Sequence, residues 1–155
     1  MLTYPPRFGL LPNGSQLNMG NIPSPRKNFP PTVLVVDDEA LIRWSLAEAL
    51  GEQGYAVTEA GDARMALAAV MEALVPFDVV LLDFRLPDSA DLRLLERMRQ
   101  LTPTSQVIMV TAHNSPELAQ GATALGAYRV ISKPFEVDSL AALVKQARED
   151  GSRNL

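Results

Sequence analysis

Apolar residues after position 32 follow a repeated two-part pattern, in which short continuous runs alternate with longer segments that carry apolar residues every third or fourth position. Continuous runs of four or five residues rich in Val, Ile and Leu are typical of strands that are buried on both sides. We expect five such strands, at residues 33–36, 55–59, 78–82, 106–110 and 129–132.

The segments between these runs have the spacing of amphipathic helices. Their apolar stripes are Ile42, Leu46 and Leu50 in the first helix, Leu94, Met98 and Leu101 in the third, and Leu140, Leu143, Val144 and Ala147 in the last. Asp62 and Ser115 are predicted helix N-caps, because both residue types are favoured there. Pro116, directly after Ser115, suits the first helical position.

Regular alternation of strands and helices predicts an α/β fold with a doubly wound, five-stranded parallel sheet and helices on both faces. We expect the flavodoxin-like strand order 2-1-3-4-5. In such a sheet, ligands bind at the carboxyl ends of the strands where the strand order reverses. The predicted binding edge therefore lies between the first and third strands.

The first 31 residues differ in composition from the rest of the chain, since they contain seven of the twelve prolines among Asn, Gly and Ser. We interpret residues 1–31 as a flexible Pro-rich leader, residues 32–149 as one domain and residues 150–155 as a C-terminal tail. A docking segment is the alternative interpretation of the leader.

Charge is also unevenly distributed. The leader carries Arg7, Arg26 and Lys27 and no acid, a charge of +3, which leaves −7 on the remainder to give the net −4. An acidic domain is a poor electrostatic match for nucleic acid, so we expect no direct nucleic-acid binding. No apolar run approaches the roughly 20 residues of a membrane span, and no signal peptide is evident, which favours a cytoplasmic protein. The absence of cysteine excludes disulfides and thiolate metal sites.

Charged and hydroxyl side chains stand at the ends of the predicted strands. Asp37 and Asp38 follow the first strand, Asp83 the third, Thr111 the fourth and Lys133 the fifth. We expect them to meet at one edge, where neighbouring carboxylates repel one another unless a cation joins them. Oxygen ligands without His or Cys suit Mg²⁺.

Two carboxylates for a metal, a third carboxylate, a hydroxyl and an ammonium group are the parts of a phosphoryl-transfer site. Asp83 is the predicted nucleophile. The alternative, that Asp37 and Asp38 merely cap the first helix, accounts for one acid and leaves Asp83 unexplained. His113, two residues after Thr111, is interpreted as an exposed loop residue.

Four stretches carry a resemblance to a known family: VLVVDDEALIRWSL, VVLLDFRLPD, VIMVTAH and LGAYRVISKPF. Residues 32–149 resemble the receiver domain of two-component response regulators. Within that family, these stretches are most similar in sequence to the nitrogen-regulatory, enhancer-binding subgroup. The resemblance implies a phosphorylation-controlled signalling switch, not an enzyme, whose own chemistry is limited to self-phosphorylation. It also implies a sensor histidine kinase or phosphotransfer protein as partner and allows a homodimer.

The resemblance further implies a role for each metal-site residue. Asp83 accepts the phosphoryl group. Asp38 and Asp83 ligate Mg²⁺ directly, together with the backbone carbonyl of Arg85, while Asp37 acts mostly through water.

Around the phosphoryl group, the resemblance implies that the Thr111 hydroxyl donates to its oxygens and that Lys133 pairs with them. We expect Lys133 to hold the phosphorylated state without contributing to folding. The resemblance also implies a cis peptide bond between Lys133 and Pro134.

The sequence departs from the family pattern in two places. The run Asp88-Ser-Ala lacks the Asp-Gly pair usual after Pro87, which predicts a different turn. Val130 stands where the family usually has Tyr or Phe, an aromatic that swings inward on phosphorylation; Tyr128 is not an obvious substitute.

Two alternatives remain at this point. One is a Mg²⁺-dependent aspartate-nucleophile phosphatase, which Arg85 disfavours because such enzymes usually place an acid there. The other is a receiver-like scaffold with weakened switching, which Val130 favours slightly.

Overall fold

A computed structural model describes residues 29–154 of the chain. Within this range strands and helices alternate: β1 Thr32–Val36, α1 Ala40–Glu52, β2 Ala56–Ala60, α2 Ala63–Glu72, β3 Val79–Asp83, α3 Arg93–Leu101, β4 Gln106–Thr111, α4 Pro116–Ala124, β5 Arg129–Ser132 and α5 Val137–Arg153. Residues 1–28 of the predicted leader lie outside the described residues, so the interpretation of the leader stays a prediction.

The five strands are parallel and lie in the order β2-β1-β3-β4-β5, which confirms the predicted sheet. Four strands differ from the prediction by one residue: β1 begins one residue earlier, β2 and β3 are shifted by one residue at both ends, and β4 ends one residue later. β2 begins at Ala56 and not at Tyr55, because the Tyr55 N–H donates to the Leu50 carbonyl at 3.1 Å and closes the end of α1. β3 and β4 end on Asp83 and Thr111, so these two residues belong to the strands and do not follow them.

Alternate residues of the central strands point into two separate cores, as the pleat of a strand requires. One core packs against α2, α3 and α4, and it contains Leu34, Val80 and Val107. The other packs against α1 and α5, and it contains Val33, Leu81 and Ile108. Each of these six side chains is at most 1% exposed, so the central strands are held firmly from both sides.

Two helix starts have the caps that the sequence predicts. Asp62 accepts the Met65 N–H through Oδ1 at 2.7 Å, and Ser115 accepts the Leu118 N–H through Oγ at 3.1 Å. Pro116 is the first residue of α4. Side-chain caps of this kind satisfy backbone donors that would otherwise have no partner in the helix.

The predicted domain end at residue 149 falls inside α5, which continues to Arg153. The Tyr128 hydroxyl donates to Asp150 Oδ2 at 2.6 Å and ties this last part of the helix to the start of β5. Gly151 lies close to the Gln106 side chain, since a Cβ there would be 3.1 Å from Gln106 Cγ. Residues 150–153 are therefore helical and contact the sheet. Among the residues described, no helix is long and apolar enough to cross a membrane.

Candidate phosphoacceptor site

The ends of the central strands place the candidate site residues at one edge of the sheet. Asp37 follows β1, and its N–H donates to the Ala60 carbonyl of β2 at 3.1 Å. Asp83 and Thr111 end β3 and β4 and are 6% and 1% exposed. The side chains of Asp37 and Asp83 are brought together, as the sequence predicts, and each lies within hydrogen-bond distance of Lys133.

Lys133 lies between the carboxylates of this cluster. Its Nζ donates to Asp37 Oδ2 at 2.8 Å, to Asp83 Oδ2 at 3.0 Å and to Glu39 Oε1 at 3.3 Å. The Lys133 side chain is 11% exposed, and those of Asp37 and Asp83 are 5% and 6% exposed. Burying two neighbouring carboxylates is costly unless a cation compensates them. In the structure described, Lys133 is therefore the counter-ion of both acids before any phosphate is bound, which favours a contribution to folding that the sequence did not predict.

The electrostatics of the cluster follow from burial and from this pairing. Burial raises the pKa of the Asp83 carboxyl; the Lys133 hydrogen bond opposes that effect, and the charge of Asp37 adds to it. For Lys133, burial alone would lower the pKa, but hydrogen bonds from its ammonium group to Asp37 and Asp83 outweigh burial and raise it. Lys133 is therefore a permanent cation at neutral pH.

The second oxygen of each buried carboxylate is held by the backbone. The Glu39 N–H donates to Asp37 Oδ1 at 2.8 Å, and the Arg85 N–H donates to Asp83 Oδ1 at 3.2 Å. Both oxygens of Asp37 and of Asp83 thus have partners, which fixes the orientation of the carboxylates. The contact from Arg85 also keeps its backbone beside Asp83, where the resemblance implies a carbonyl ligand.

Acidic side chains on the outer side of the cluster fit a hard cation. Carboxylate oxygens of Asp37, Asp38 and Glu39 lie within 4.8 Å of one another, with Asp37 buried and the other two exposed. A set of oxygen donors that is open to solvent on one side suits Mg²⁺, which keeps several of its waters. Asp83 is outside this close group and is connected to it through Lys133. The residues present therefore fit Mg²⁺.

Thr111 connects two loops to the same edge. Its Oγ1 accepts the His113 N–H at 3.1 Å, and its carbonyl accepts the Lys133 N–H at 2.7 Å. His113 is exposed, in agreement with its interpretation as a loop residue. The Lys133–Pro134 peptide bond is cis, as the resemblance implies.

A groove with a volume of about 500 Å³ borders the site between the start of α1 and the start of α5. Its lining includes Leu41, Ile42 and Phe135 and reaches Lys133. Leu41 is 74% exposed. The buried acids thus lie next to an open surface with an apolar wall.

Comparison with known proteins decides the family. Residues 33–145 match the family described as response regulator receiver domain. The chain belongs to this family. It is a phosphorylation-controlled signalling domain, as the resemblance implies.

Individual relatives agree with the predicted subgroup. The DNA-binding transcriptional regulator NtrC of Salmonella typhimurium is 39% identical over 115 residues, which are 74% of this chain and 24% of NtrC. Sporulation initiation phosphotransferase F of Bacillus subtilis is 32% identical over 114 residues, which are 74% of this chain and 90% of that protein. This receiver domain therefore spans about a quarter of NtrC but most of the phosphotransferase.

Solved structures show the same fold. The receiver domain of NtrX from Brucella abortus is 37% identical, with a TM-score of 0.68 over 76% of this chain and 98% of that one. A CheY-like receiver domain protein from Methanospirillum hungatei has a TM-score of 0.77 at 30% identity, over 81% of this chain and 99% of that one.

Two residues around the receiver site were not predicted to take part in it. Glu39 accepts a hydrogen bond from Lys133, although only Asp37 and Asp38 of the three consecutive acids were predicted to belong to the site. Arg43 Nη1 donates to the Asp37 carbonyl at 2.7 Å, and Arg43 Nε lies 3.4 Å from Glu59 Oε1. Glu39 could have been found as the third acid of the same run, whereas nothing local in the sequence distinguishes Arg43 from a surface residue of α1.

The turn after Pro87 closes without the glycine of the family pattern. The Leu86 N–H donates to the Ser89 carbonyl at 2.7 Å, and the Ser89 N–H donates to the Leu86 carbonyl at 3.2 Å. Among the described residues, positive φ angles are confined to glycine. The receiver domain therefore makes this turn with ordinary backbone angles.

Val130 and Tyr128 belong to opposite faces of the sheet. Val130 is half-buried against the core shared with α2, α3 and α4. Tyr128 packs against the α1 and α5 core, and its hydroxyl bonds to Asp150. Tyr128 therefore faces α5, away from the face on which Val130 packs.

Proposed function

We propose that Asp83 is the phosphoacceptor of this receiver domain and that the donor is a phosphorylated histidine of a sensor kinase or a phosphotransfer protein. The observation that carries the proposal is the position of Asp83, which ends β3 at the sheet edge, 3.0 Å from Lys133 Nζ. A carboxylate held in this way is oriented for attack, and its charge has a partner before phosphate arrives.

The proposed reaction transfers one phosphoryl group. An Asp83 oxygen forms a bond to phosphorus while the bond between phosphorus and the donor nitrogen breaks, and the electron pair remains on the imidazole. Lys133 exchanges a carboxylate partner for a phosphoryl oxygen, and the Thr111 hydroxyl donates to another. The groove beside Lys133 supports access for a donor protein.

Asp37, Asp38 and Asp83, with the Arg85 carbonyl, are the residues proposed to hold Mg²⁺, Asp37 mostly through water. Bound Mg²⁺ supplies positive charge that offsets repulsion between the acids and the incoming phosphoryl group. Support comes from the close group of oxygen donors that includes Asp37 and Asp38. Glu39 adds a further negative charge at the exposed side of this group.

The phosphatase alternative is not favoured. Family membership supports a signalling domain, and Arg85 occupies the place where such phosphatases carry an acid. Val130 is the observation that favours a receiver with weakened switching as the second candidate.

Three further expectations stay predictions. These are a cytoplasmic location, a possible homodimer and the absence of direct nucleic-acid binding by this chain. NtrC is named as DNA-binding, but the match covers 24% of it. The charge of −7 outside the first 31 residues supports a chain that does not itself bind DNA.

Labelling with acetyl phosphate tests the proposal. In Mg²⁺ the protein should gain the mass of one phosphoryl group, and EDTA or Asp83→Asn should abolish the gain. Asp91→Asn, an exposed acid in the loop after β3, is the control and should label normally. Undiminished labelling of Asp83→Asn, or labelling in EDTA, would refute the assignment.

A further inference from the structure

Asp88, in the loop after the phosphoacceptor, bonds to the N-terminus of a distant helix. Its Oδ1 accepts the Ala63 N–H at 2.8 Å, and its Oδ2 accepts the Arg64 N–H at 3.1 Å. These are the first two residues of α2. A carboxylate is favoured at this position both by the free backbone donors and by the helix dipole. The hydrogen bond from the Ala63 N–H holds the pKa of the Asp88 carboxyl below its usual range.

The contact is not needed merely to cap α2. Asp62 already caps this helix through the Met65 N–H at 2.7 Å. Asp88 is 25 residues from Ala63 in sequence, so its bonds join the loop after β3 to a separate element, α2, whereas the Asp62 bond is local. The two aspartates therefore contribute to the same helix end but differ in what they connect.

The bonds of Asp88 restrain the short segment that begins at Asp83. At its start, the Arg85 N–H donates to Asp83 Oδ1. At its end, Leu86 and Ser89 exchange two backbone hydrogen bonds, and Asp88 between them is attached to α2. The backbone of Arg85 is thus held from both sides.

We propose that Asp88 is a positioning residue that, by attaching the Asp83–Asp88 loop to the N-terminus of α2, sets the Arg85 carbonyl in place for the metal ion. The inference rests on the proposed function, because it takes the Arg85 carbonyl as a Mg²⁺ ligand. Residues that orient ligands from outside typically affect metal affinity by about 10- to 100-fold. Since the Arg85 carbonyl is one ligand among several, we expect an effect near the lower end of that range.

Asp62→Ala provides a matched control for Asp88→Ala, since each variant removes a carboxylate from the same helix end. The probe is Mg²⁺ alone, titrated into the unphosphorylated protein and followed by calorimetry. Asp88→Ala should weaken Mg²⁺ binding about tenfold. Asp62→Ala should leave binding unchanged, and Asp88→Asn, which keeps one acceptor oxygen, should lie between Asp88→Ala and the parent protein.

Amide hydrogen exchange in EDTA gives a second readout that needs no metal. In Asp88→Ala the amides of Phe84, Arg85 and Leu86 should exchange faster, whereas in Asp62→Ala faster exchange should be confined to α2. Equal Mg²⁺ affinity in Asp88→Ala and the parent, or equal weakening in both alanine variants, would overturn the inference. Failure of the parent protein to bind Mg²⁺ would instead refute the proposed metal site, and with it this role of Asp88.

Discussion

The centre of the sheet and its β5 edge are built very differently. Every residue of β3 is buried, whereas the four residues of β5 are half-buried or exposed. Two helices show a similar difference. α3 and α4 have nine residues each, but α3 buries three of them and α4 buries one. The acids at the ends of β1 and β3 therefore stand on firmly packed strands, while β5 is held by fewer apolar contacts.

This difference separates the chemistry of the domain from its response. Phosphoryl transfer needs fixed groups, which β1 and β3 provide. A response needs an element with two arrangements that phosphate distinguishes energetically. β5 supplies Lys133 to the site at its end, but Val130, which packs against the core shared with α2, α3 and α4, has a stiff branched side chain and replaces the aromatic side chain of the family pattern. We therefore expect complete phosphoacceptor chemistry and a small response at the outer edge.

Removing the lysine should have the largest effect on stability. Lys133→Ala leaves two buried carboxylates without a counter-ion, and breaking a buried pair costs about 3–5 kcal/mol. We expect the free energy of unfolding to fall by about 3 kcal/mol in urea titrations with EDTA, and Mg²⁺ to restore part of the loss. Lys145→Ala, at an exposed position of α5, is the control. Equal small losses in both variants would show that the cluster does not depend on Lys133.

The buried acid itself should destabilise the metal-free fold at neutral pH. Because burial raises the pKa of Asp83, the folded state holds this proton more tightly than the unfolded state. Its stabilising contribution is then fully present below the ordinary pKa and is lost as pH rises through the folded pKa. Asp83→Asn should therefore melt a few degrees above the parent at neutral pH in EDTA, with a difference that shrinks toward pH 4. A melting temperature below that of the parent would contradict this explanation.

The anchoring of β5 to α5 should have a smaller effect. Tyr128→Phe removes the hydrogen bond to Asp150 and should lower the free energy of unfolding by about 1 kcal/mol, with faster amide exchange at residues 150–153. The same hydrogen bond raises the pKa of Tyr128, so Asp150→Asn should lower that pKa in an absorbance titration. Unchanged exchange in Tyr128→Phe would mean that packing alone holds the end of α5.

Most of the fold follows from local pattern. Parallel strands buried on both sides must be continuously apolar, so the runs around Val35, Leu81 and Ile108 identify the central strands without other information. Strand ends are less predictable, because they depend on the partner strand. The continuation of α5 past residue 149 could not be predicted either, since it depends on the Tyr128–Asp150 contact between separate elements.

The candidate site could likewise be predicted only in part. Its residues could be predicted because each stands at the end of an apolar run on a shared edge. The contacts between them could not, because Lys133 and Asp37 are 96 residues apart and only the folded chain shows that their side chains meet. The hydrogen bonds between Asp88 and α2 could not be predicted from the sequence either. The sequence shows only that the run beginning at Asp88 lacks the glycine of the family pattern.

The contrast between site and outer edge is tested most directly by amide chemical shifts with and without beryllofluoride, a phosphoryl mimic, in the presence of Mg²⁺. Shifts should be large in the loop after Asp83 and in the Thr111–Pro116 segment, and small across β5 and α5. Val130→Phe, which restores an aromatic side chain, should enlarge the shifts in β5. Shifts across β5 and α5 of the parent protein as large as those near Asp83 would contradict this expectation and show that another element transmits the signal. The absence of any shift near Asp83 would contradict the phosphoacceptor site itself.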